Sequence, residues 1–296
     1  MKKIVSLILA CLLTLSLCAC ANGDAQQTTA PQPTAPKSLK VLAIGNSFSV
    51  DAMTHLYKVM EAEGVEEIVL GNLFVGGCTL KQHAGFAEAD EAAYLYYKCV
   101  DGNWMETPTT TLLTGLQDED WDVITMQQGS YDSGLVDSYQ PYLDNLITYV
   151  QQNKTNQEAK LLWHMTWAYQ SNSTHEGFAN YGNNQQAMYS GIVNALQKVI
   201  DPNENIQGTI PVGTVIQNLR DSVIGDQLTR DGYHLNNLGR AAASYTWYAV
   251  LAGQKLQSVK ISKVDHTTIT DEQKDLIVKA VNAALDNPQA VSRISN

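Results

Sequence analysis

The strongest constraint on the fold is an alternation of short apolar runs, rich in β-branched residues, with stretches in which apolar residues recur at helical spacing. Polar residues or glycines bound each run, as expected for buried strands. The runs are Leu39–Ile44, Glu66–Leu70, Trp121–Met126, Lys160–Met165 and Ile206–Val212. Strands separated by helices predict a parallel sheet with helices on both faces. We therefore expect a three-layer α/β/α fold around five parallel strands.

Helical stripes occupy the stretches between these runs and after them. The first carries apolar residues from Met53 to Met60 and ends at Gly64, a residue type that often terminates helices. Further stripes lie at 142–150 and 192–200, and residues 238–251 are rich in alanine and aromatic side chains. Thr270 and Gln273 have the spacing of a capping box, which predicts that a last helix begins there.

The N-terminal segment indicates export. Lys2 and Lys3 precede an apolar stretch that is too short to span a bilayer comfortably, as in a signal peptide. The run Leu17–Cys20 is similar to the bacterial lipobox, and the similarity implies cleavage before Cys20 and lipidation of that cysteine. A plain signal anchor or a cleaved soluble export signal is the alternative. We thus expect a signal peptide at 1–20 and a lipid anchor on the extracytoplasmic face of the cell membrane.

The remaining chain divides into a tether and one domain. Residues 21–37 are rich in Gln, Thr, Pro and Ala and lack an apolar period, which predicts a flexible tether before a domain at 38–296. An aromatic-rich insertion at 78–111 favours a cap over a site, with a hairpin packed against the body as the alternative. Cys78 and Cys99 are consistent with either one disulfide or two buried thiols.

The formal net charge of −11 at pH 7 narrows the choice of ligand. Nucleic-acid binding requires clustered Lys and Arg to contact phosphates, and the sequence has no such cluster. The Cys and His residues also lack zinc-ligand spacing, which argues against a structural metal. Neutral ligands such as sugars remain open.

A first candidate for chemistry is Ser47, because the first strand runs directly into Gly45-Asn46-Ser47 and a helix begins soon afterwards. In open parallel sheets the carboxyl ends of the strands border the ligand crevice, so this serine would face it. Backbone N–H groups at the start of a helix suit a developing oxyanion. A serine in this position also fits a simple helix cap, which is the structural alternative.

A second candidate is the pair Asp231 and His234, three residues apart and just ahead of the helical segment at 238–251. A serine hydroxyl needs a neutral imidazole to take its proton, and the imidazole needs a carboxylate to fix its tautomer. These two residues can supply both groups. Taken alone, the pair also fits an exposed histidine beside an incidental aspartate.

Together the two blocks resemble the SGNH, or GDSL-like, hydrolase superfamily, and within it an uncharacterised branch found in gut bacteria. Members carry the nucleophile after the first strand and an Asp-x-x-His block near the C-terminus. The resemblance covers most of the chain beyond Lys37. It implies a flavodoxin-like five-stranded parallel sheet and a catalytic triad of Ser47, His234 and Asp231.

The resemblance also implies an oxyanion hole built from the backbone N–H groups of Ser47 and Gly77. The family's third block would fall on residues 129–132, where Tyr131 replaces an asparagine whose amide donates to the oxyanion. Gln127 or Gln128, at the end of the same strand, offers a substitute amide. Since strand residues alternate faces, only one should reach the crevice, and Gln128 is favoured. The alternative is that both glutamines pair with backbone at the strand end.

The implied reaction is acyl transfer without a metal or organic cofactor, and the expected substrates are acetyl or similar small acyl esters of extracellular glycans. Candidates for substrate contacts are Trp104, Trp167 and Tyr169, which could stack on sugar rings, with Gln127 and His83 lining the pocket. Two other functions remain open. One is a catalytically impaired glycan-binding lipoprotein on the same fold, and the other is a lipase or thioesterase, which would need a long apolar groove.

Overall fold

The computed structural model describes residues 35–294, so the predicted signal peptide, Cys20 and most of the tether lie outside the described residues. The strands are β1 Ser38–Gly45, β2 Glu67–Phe74, β3 Tyr94–Val100, β4 Asn103–Thr110, β5 Val123–Met126, β6 Lys160–His164, β7 Thr209–Ile210, β8 Lys263–Val264 and β9 Thr267–Thr268. The α-helices are α1 Ser47–Met53, α2 Leu56–Glu63, α3 Leu80–Ala89, α4 Leu112–Gln117, α5 Tyr142–Asn153, α6 Gln185–Ala195, α7 Val212–Arg220, α8 Asn237–Leu251 and α9 Asp271–Asp286.

One sheet carries strands β1 to β7 in the order β4-β3-β2-β1-β5-β6-β7. From β2 to β7 all neighbours are parallel, and β3 and β4 are antiparallel additions at one edge. The parallel part has the strand order of flavodoxin-like folds. The prediction of a mostly parallel α/β sheet is therefore confirmed, but the expected total of five strands is wrong, because the sheet has seven.

Helices cover both faces of the sheet. Helices α3, α4 and α5 contact one another in one layer, and α1, α2, α7, α8 and α9 form a connected second layer. Strand β1 is buried at nearly every position between them, which is why its sequence reads as a continuous apolar run. Within residues 35–294, no helix combines the length and apolarity needed to cross a membrane.

The helix boundaries follow the predicted signals with one exception. The stripe from Met53 to Met60 is split, because α1 ends at Met53 and α2 begins at Leu56. Gly64 ends α2 with a φ of 96°, a conformation that glycine adopts without steric cost. Thr270 and Gln273 form the predicted capping box at the start of α9.

The aromatic-rich segment at 78–111 adds elements to the fold and does not form the expected cap. It contains helix α3 and a hairpin of β3 and β4 that extends the sheet beyond β2. Asp101 and Gly102 form the two-residue turn, with φ values of 51° and 75°. Positive φ at both positions is the requirement of a type I′ hairpin turn, and Asp-Gly is a preferred pair for it.

Candidate active site

Ser47 is the first residue of α1 and lies at the carboxyl end of β1. The Oδ1 atom of Asn46 accepts a hydrogen bond from the Phe48 N–H at 2.9 Å and so caps the helix. A side chain at Gly45 would bring a Cβ within 2.6 Å of the Ser49 Oγ, so only glycine fits this tight exit from the strand. The asparagine, rather than the serine, is thus the helix cap, and the Ser47 hydroxyl is left for another partner.

That partner is His234. Its Nε2 atom lies 2.8 Å from the Ser47 Oγ, and its Nδ1 atom lies 2.7 Å from the Asp231 Oδ2. The ring is therefore held between a hydroxyl that can give up a proton and a carboxylate that stabilises an imidazolium. The structure brings together all three residues predicted as catalytic.

The aspartate is held as an anion by its own loop. Its Oδ1 atom accepts hydrogen bonds from the backbone N–H of His234 at 2.8 Å and of Tyr233 at 3.2 Å. Burial favours the neutral carboxyl, but the hydrogen bonds from the His234 side chain and from the backbone outweigh it and keep the pKa of Asp231 below its ordinary value. Asp231 therefore carries the negative charge that orients the imidazole.

A second aspartate, Asp51, ties the helix of the serine to the loop of the histidine. Its side chain is 1 % exposed and forms ion pairs with Arg230 and Arg240. Its Oδ2 atom also accepts a hydrogen bond at 2.7 Å from the N–H of Leu235, the residue after the histidine. No role was predicted for Asp51 from the sequence, although its position one helical turn after Ser47 was a usable signal.

Two of the predicted sugar-stacking residues lie beneath the triad and not in a pocket. Trp167 is fully buried, stacks on Phe48 at a centroid distance of 4.1 Å, and donates from Nε1 to the Tyr233 carbonyl at 2.8 Å. Tyr169 is also buried, with its hydroxyl 2.8 Å from the Ser130 Oγ. Because neither ring is accessible, the expectation that they stack on sugars is wrong, and both support the loop from below.

The loop that carries Gly77 lies beside the serine. The Asn46 Nδ2 donates to the Cys78 carbonyl at 3.1 Å, which joins the residue before Ser47 to the residue after Gly77. Gly77 is exposed, has a φ of 63°, and its N–H donates no hydrogen bond within residues 35–294. The N–H of Ser47, at the first helical position, is also without an intrahelical partner. Two backbone donors are thus available here.

The two glutamines do not supply the third donor. Gln128 is buried, donates from Nε2 to Ser138, and accepts at Oε1 from the N–H groups of Leu80 and Gly129, both at 2.8 Å. Gln127 donates to the Asn46 Oδ1 at 2.8 Å. The choice of Gln128 for the oxyanion hole and of Gln127 for the pocket is therefore corrected: these amides brace the strand end and the cap of α1.

Behind Gln127 lies His164, whose Nδ1 atom is 2.9 Å from the glutamine Oε1. Burial lowers the pKa of His164 to about 3, so the ring is neutral. His83 is likewise buried, with its Nδ1 atom 2.9 Å from the Tyr94 hydroxyl and its pKa lowered by burial to about 3. His83 is a core residue on α3, and the expectation that it lines a pocket is wrong.

A histidine that the sequence analysis missed stands beside the triad. His175 packs against Tyr233 at a centroid distance of 4.7 Å and against Tyr131 at 6.3 Å. Burial, aided by the nearby His234, lowers the pKa of His175. Its Nδ1 atom accepts from the Gly177 N–H at 3.0 Å, so the neutral ring carries its proton on Nε2. Tyr131, where the resemblance to SGNH hydrolases would place an asparagine, therefore packs in an aromatic cluster with His175 and Tyr233.

Cys78 and Cys99 are both buried, and neither forms a disulfide within residues 35–294. Burial raises the pKa of Cys78 to about 12 and that of Cys99 to about 11, so neither is a thiolate at neutral pH. The structure thus has the two buried thiols and not the disulfide.

The fold and these contacts define a class: an α/β protein with a Ser-His-Asp hydrogen-bond relay at the carboxyl edge of its parallel strands. Residues 40–283 match the model of the DUF4886 family, described as a domain of unknown function. The chain belongs to that family. No protein of curated function matches it in sequence.

The chain is similar to a DUF4886 family protein from Bacteroides uniformis whose crystal structure is known, with 40 % identity, 87 % of this chain and 98 % of that chain covered, and a TM-score of 0.81. Two carbohydrate-active structures are more distant. A catalytic mutant of an acetylxylan esterase from Geobacillus stearothermophilus has 10 % identity, covers 75 % and 97 % of the two chains, and gives a TM-score of 0.48. A family 3 carbohydrate esterase from Clostridium thermocellum has 15 % identity. The match covers 73 % of this chain and 98 % of that chain, with a TM-score of 0.44.

Proposed function

We propose that the protein is a serine esterase of SGNH type that removes acetyl or other small acyl groups from carbohydrate. The observation that carries this proposal is the unbroken relay from the Ser47 Oγ through His234 to Asp231, with heavy-atom distances of 2.8 and 2.7 Å. A serine whose hydroxyl is hydrogen-bonded to a carboxylate-oriented imidazole is equipped for nucleophilic attack.

In the proposed reaction, the Nε2 atom of His234 takes the Ser47 proton as the Oγ atom attacks the ester carbonyl. Asp231, kept anionic by its hydrogen bonds, stabilises the imidazolium that forms. The N–H groups of Ser47 and Gly77 hold the oxyanion. His234 then protonates the leaving alcohol and afterwards activates water, which hydrolyses the acyl-enzyme and regenerates the serine.

The surroundings of the triad favour a small acyl group on a large, polar alcohol. The side chains of His234 and Asp231 are 18 % and 38 % exposed, so the relay lies at an open surface that a polymer chain can approach. The acidic charge of the chain, −11, favours neutral partners over anionic ones. Because Leu17–Cys20 is similar to a bacterial lipobox, we also propose that the enzyme is lipid-anchored through Cys20 and acts outside the cytoplasm.

A second candidate function is glycan binding without turnover. The observation in its favour is that Gln127 and Gln128 are both committed to structural hydrogen bonds. Tyr131 also stands where the resemblance to SGNH hydrolases would place an asparagine donor. Loss of one oxyanion donor slows comparable enzymes by about 10² to 10³ in kcat. The proposed esterase has two backbone donors and no side-chain amide at the oxyanion. We therefore expect it to turn over more slowly than an enzyme with three donors.

Hydrolysis assays separate the two functions. We expect the protein to release p-nitrophenol from p-nitrophenyl acetate faster than from p-nitrophenyl dodecanoate, and acetate from acetylated oligosaccharides. Ser47→Ala and His234→Ala should each reduce kcat at least about 10³-fold. A folded parent protein without turnover on any of these esters would contradict the esterase and favour the binding function.

A further inference from the structure

A groove separates helix α1 from the outer hairpin of the sheet. It has a volume of about 240 Å³, with Val50 and Thr54 on its helical wall and Trp104 and Glu106 on its hairpin wall. This volume is just below the range of about 300 to 1,000 Å³ that is usual for drug-sized ligands. The groove therefore has room for a single ring rather than for an extended molecule.

Strand register determines which side chains line the groove on the side of the sheet. Asn72 of β2 is paired with Tyr97 of β3, and Tyr97 is paired with Glu106 of β4. Side chains that are directly opposite on neighbouring strands point to the same face, and Trp104 shares the face of Glu106 because it lies two residues away. An amide, two aromatic rings and a carboxylate thus meet on one surface.

The groove leads from the catalytic serine. Ser47, Val50 and Thr54 are spaced i, i+3 and i+7, so they lie on one side of α1 and at its C-terminal cap. At about 1.5 Å of rise per residue, the groove wall begins roughly 4.5 Å along the helix axis from the nucleophile. A group in this groove is therefore next to a group bound at Ser47.

The polar groups that line the groove have unused hydrogen-bonding capacity. Asn72 accepts from the Ser49 Oγ at 3.0 Å, but its Nδ2 makes no hydrogen bond within residues 35–294. Glu106 forms no ion pair in that same part of the chain. Trp104 is 40 % exposed, which is unusual for so large an apolar ring. The groove thus offers a ring face, an amide donor and a carboxylate acceptor.

We propose that this groove binds one neutral sugar ring, the neighbour of the sugar whose ester is cleaved at Ser47. The aromatic rings face the apolar side of the sugar, and Asn72 and Glu106 bind its hydroxyl groups. A uronic acid is disfavoured, because its carboxylate would approach Glu106 in a chain of charge −11. A fatty acyl chain is disfavoured as well, since it would cover the free amide and carboxylate without hydrogen bonds.

Binding tests the groove without requiring turnover. We would titrate Ser47→Ala with xylotetraose, cellotetraose, mannotetraose and tetragalacturonate by calorimetry, and repeat the titrations with Trp104→Ala added. At least one neutral tetrasaccharide should bind, Trp104→Ala should weaken it about tenfold, and tetragalacturonate should not bind. Met105→Ala is the matched control, because Met105 is 55 % exposed on the same strand but faces the opposite side. It should leave the dissociation constant within about twofold.

Turnover supplies a second measurement, which rests on the proposed esterase function. In Trp104→Ala, the ratio of kcat/KM for acetylated xylotetraose to kcat/KM for p-nitrophenyl acetate should fall about tenfold, mainly through KM. Neutral sugars that fail to bind, or that bind equally well to Trp104→Ala, would overturn the groove proposal. A selective loss of p-nitrophenyl dodecanoate hydrolysis in Trp104→Ala would overturn it in favour of an acyl site. Sugar binding that depends on Trp104 in a protein without esterase activity would support the groove and refute only the proposed reaction.

Discussion

Substitution of Asp51 by Asn should lower both the stability and the activity of the protein. The substitution keeps the size of the side chain and removes its charge. The side chain of Asp51 is 1 % exposed, pairs with Arg230 and Arg240, and accepts from the Leu235 N–H at 2.7 Å. Removing one partner of a buried ion pair costs about 3 to 5 kcal/mol. Since both arginines are partly exposed and can regain water, we expect the lower end, about 3 kcal/mol.

The effect on activity follows from the position of the contact. Leu235 is the residue after His234, so a weaker anchor at Asp51 allows the imidazole to move away from Ser47. A displacement of about 1 Å at such a site can reduce the rate about 10²-fold. We therefore expect kcat for p-nitrophenyl acetate to fall between about 10-fold and 100-fold at 15 °C, where the variant remains folded.

Urea unfolding and steady-state kinetics measure the two effects. Glu119→Gln is the control, because Glu119 also contacts two cations, Lys40 and Lys98, but near the surface and away from the triad. It should cost about 1 kcal/mol or less and leave kcat unchanged. An Asp51→Asn protein with stability and kcat close to those of the parent would refute the assignment of Asp51 as the anchor of the catalytic loop.

Three further predictions concern the buried groups around the site. Because burial lowers the pKa of His83 to about 3, the unfolded chain binds a proton between about pH 6.5 and 3 that the folded chain does not, so acidification through this range should remove about 1.4 kcal/mol per pH unit. His83→Gln should reduce the fall in urea midpoint between pH 7 and 5, and a variant with the same pH dependence as the parent protein would refute this. Cys78 and Cys99 should resist iodoacetamide in the native protein and react in urea, as mapped by peptide mass, and rapid native alkylation would contradict their burial. Trp167→Phe keeps the stack on Phe48 but leaves the Tyr233 carbonyl without its donor, so it should cost about 1 to 3 kcal/mol in urea unfolding, and an unchanged midpoint would contradict the role of this hydrogen bond.

The parallel part of the sheet could be predicted from the sequence because its strands are buried on both faces. A short, continuous apolar run such as Leu39–Ile44 is typical of a strand that is covered on both faces. Helical stripes between such runs indicate crossover connections between parallel strands. The pairing of Ser47 with His234 was also accessible, since one follows the first strand and the other precedes a long helix. Short motifs thus identified the candidate catalytic residues without requiring a prediction for the chain between them.

The outer hairpin was harder to predict because β4 has almost no burial pattern. Seven of its eight residues are exposed, and Pro108 within it is unusual for a strand. An edge strand does not need alternating apolar residues, so periodicity carries no information there. The Asp101-Gly102 pair was the one local signal of a tight hairpin, and it lay inside a segment interpreted as a cap.

The positions of Gln127, Gln128 and His175 were difficult to predict from the sequence for a different reason. Alternation of faces predicted that one glutamine of the pair would reach the crevice, but strand-end amides also satisfy nearby backbone groups, as Gln128 does for Leu80 and Gly129. His175 lies in an irregular segment between β6 and α6, where no periodic pattern indicates direction. Tertiary packing decides which loop side chain contacts the triad. A single sequence gives no direct information about that packing.

The central claim is that His234 and Asp231 make Ser47 nucleophilic, and a fluorophosphonate tests it without knowledge of the natural substrate. Intact-mass analysis after brief exposure should show one adduct, and peptide mapping should place it on Ser47. His234→Ala should abolish the adduct. Ser49→Ala should retain it, because the Ser49 hydroxyl is hydrogen-bonded to the Asn46 carbonyl and to Asn72 and makes no hydrogen bond to His234. A protein that remains unlabelled, or that is labelled equally well in His234→Ala, would contradict the account.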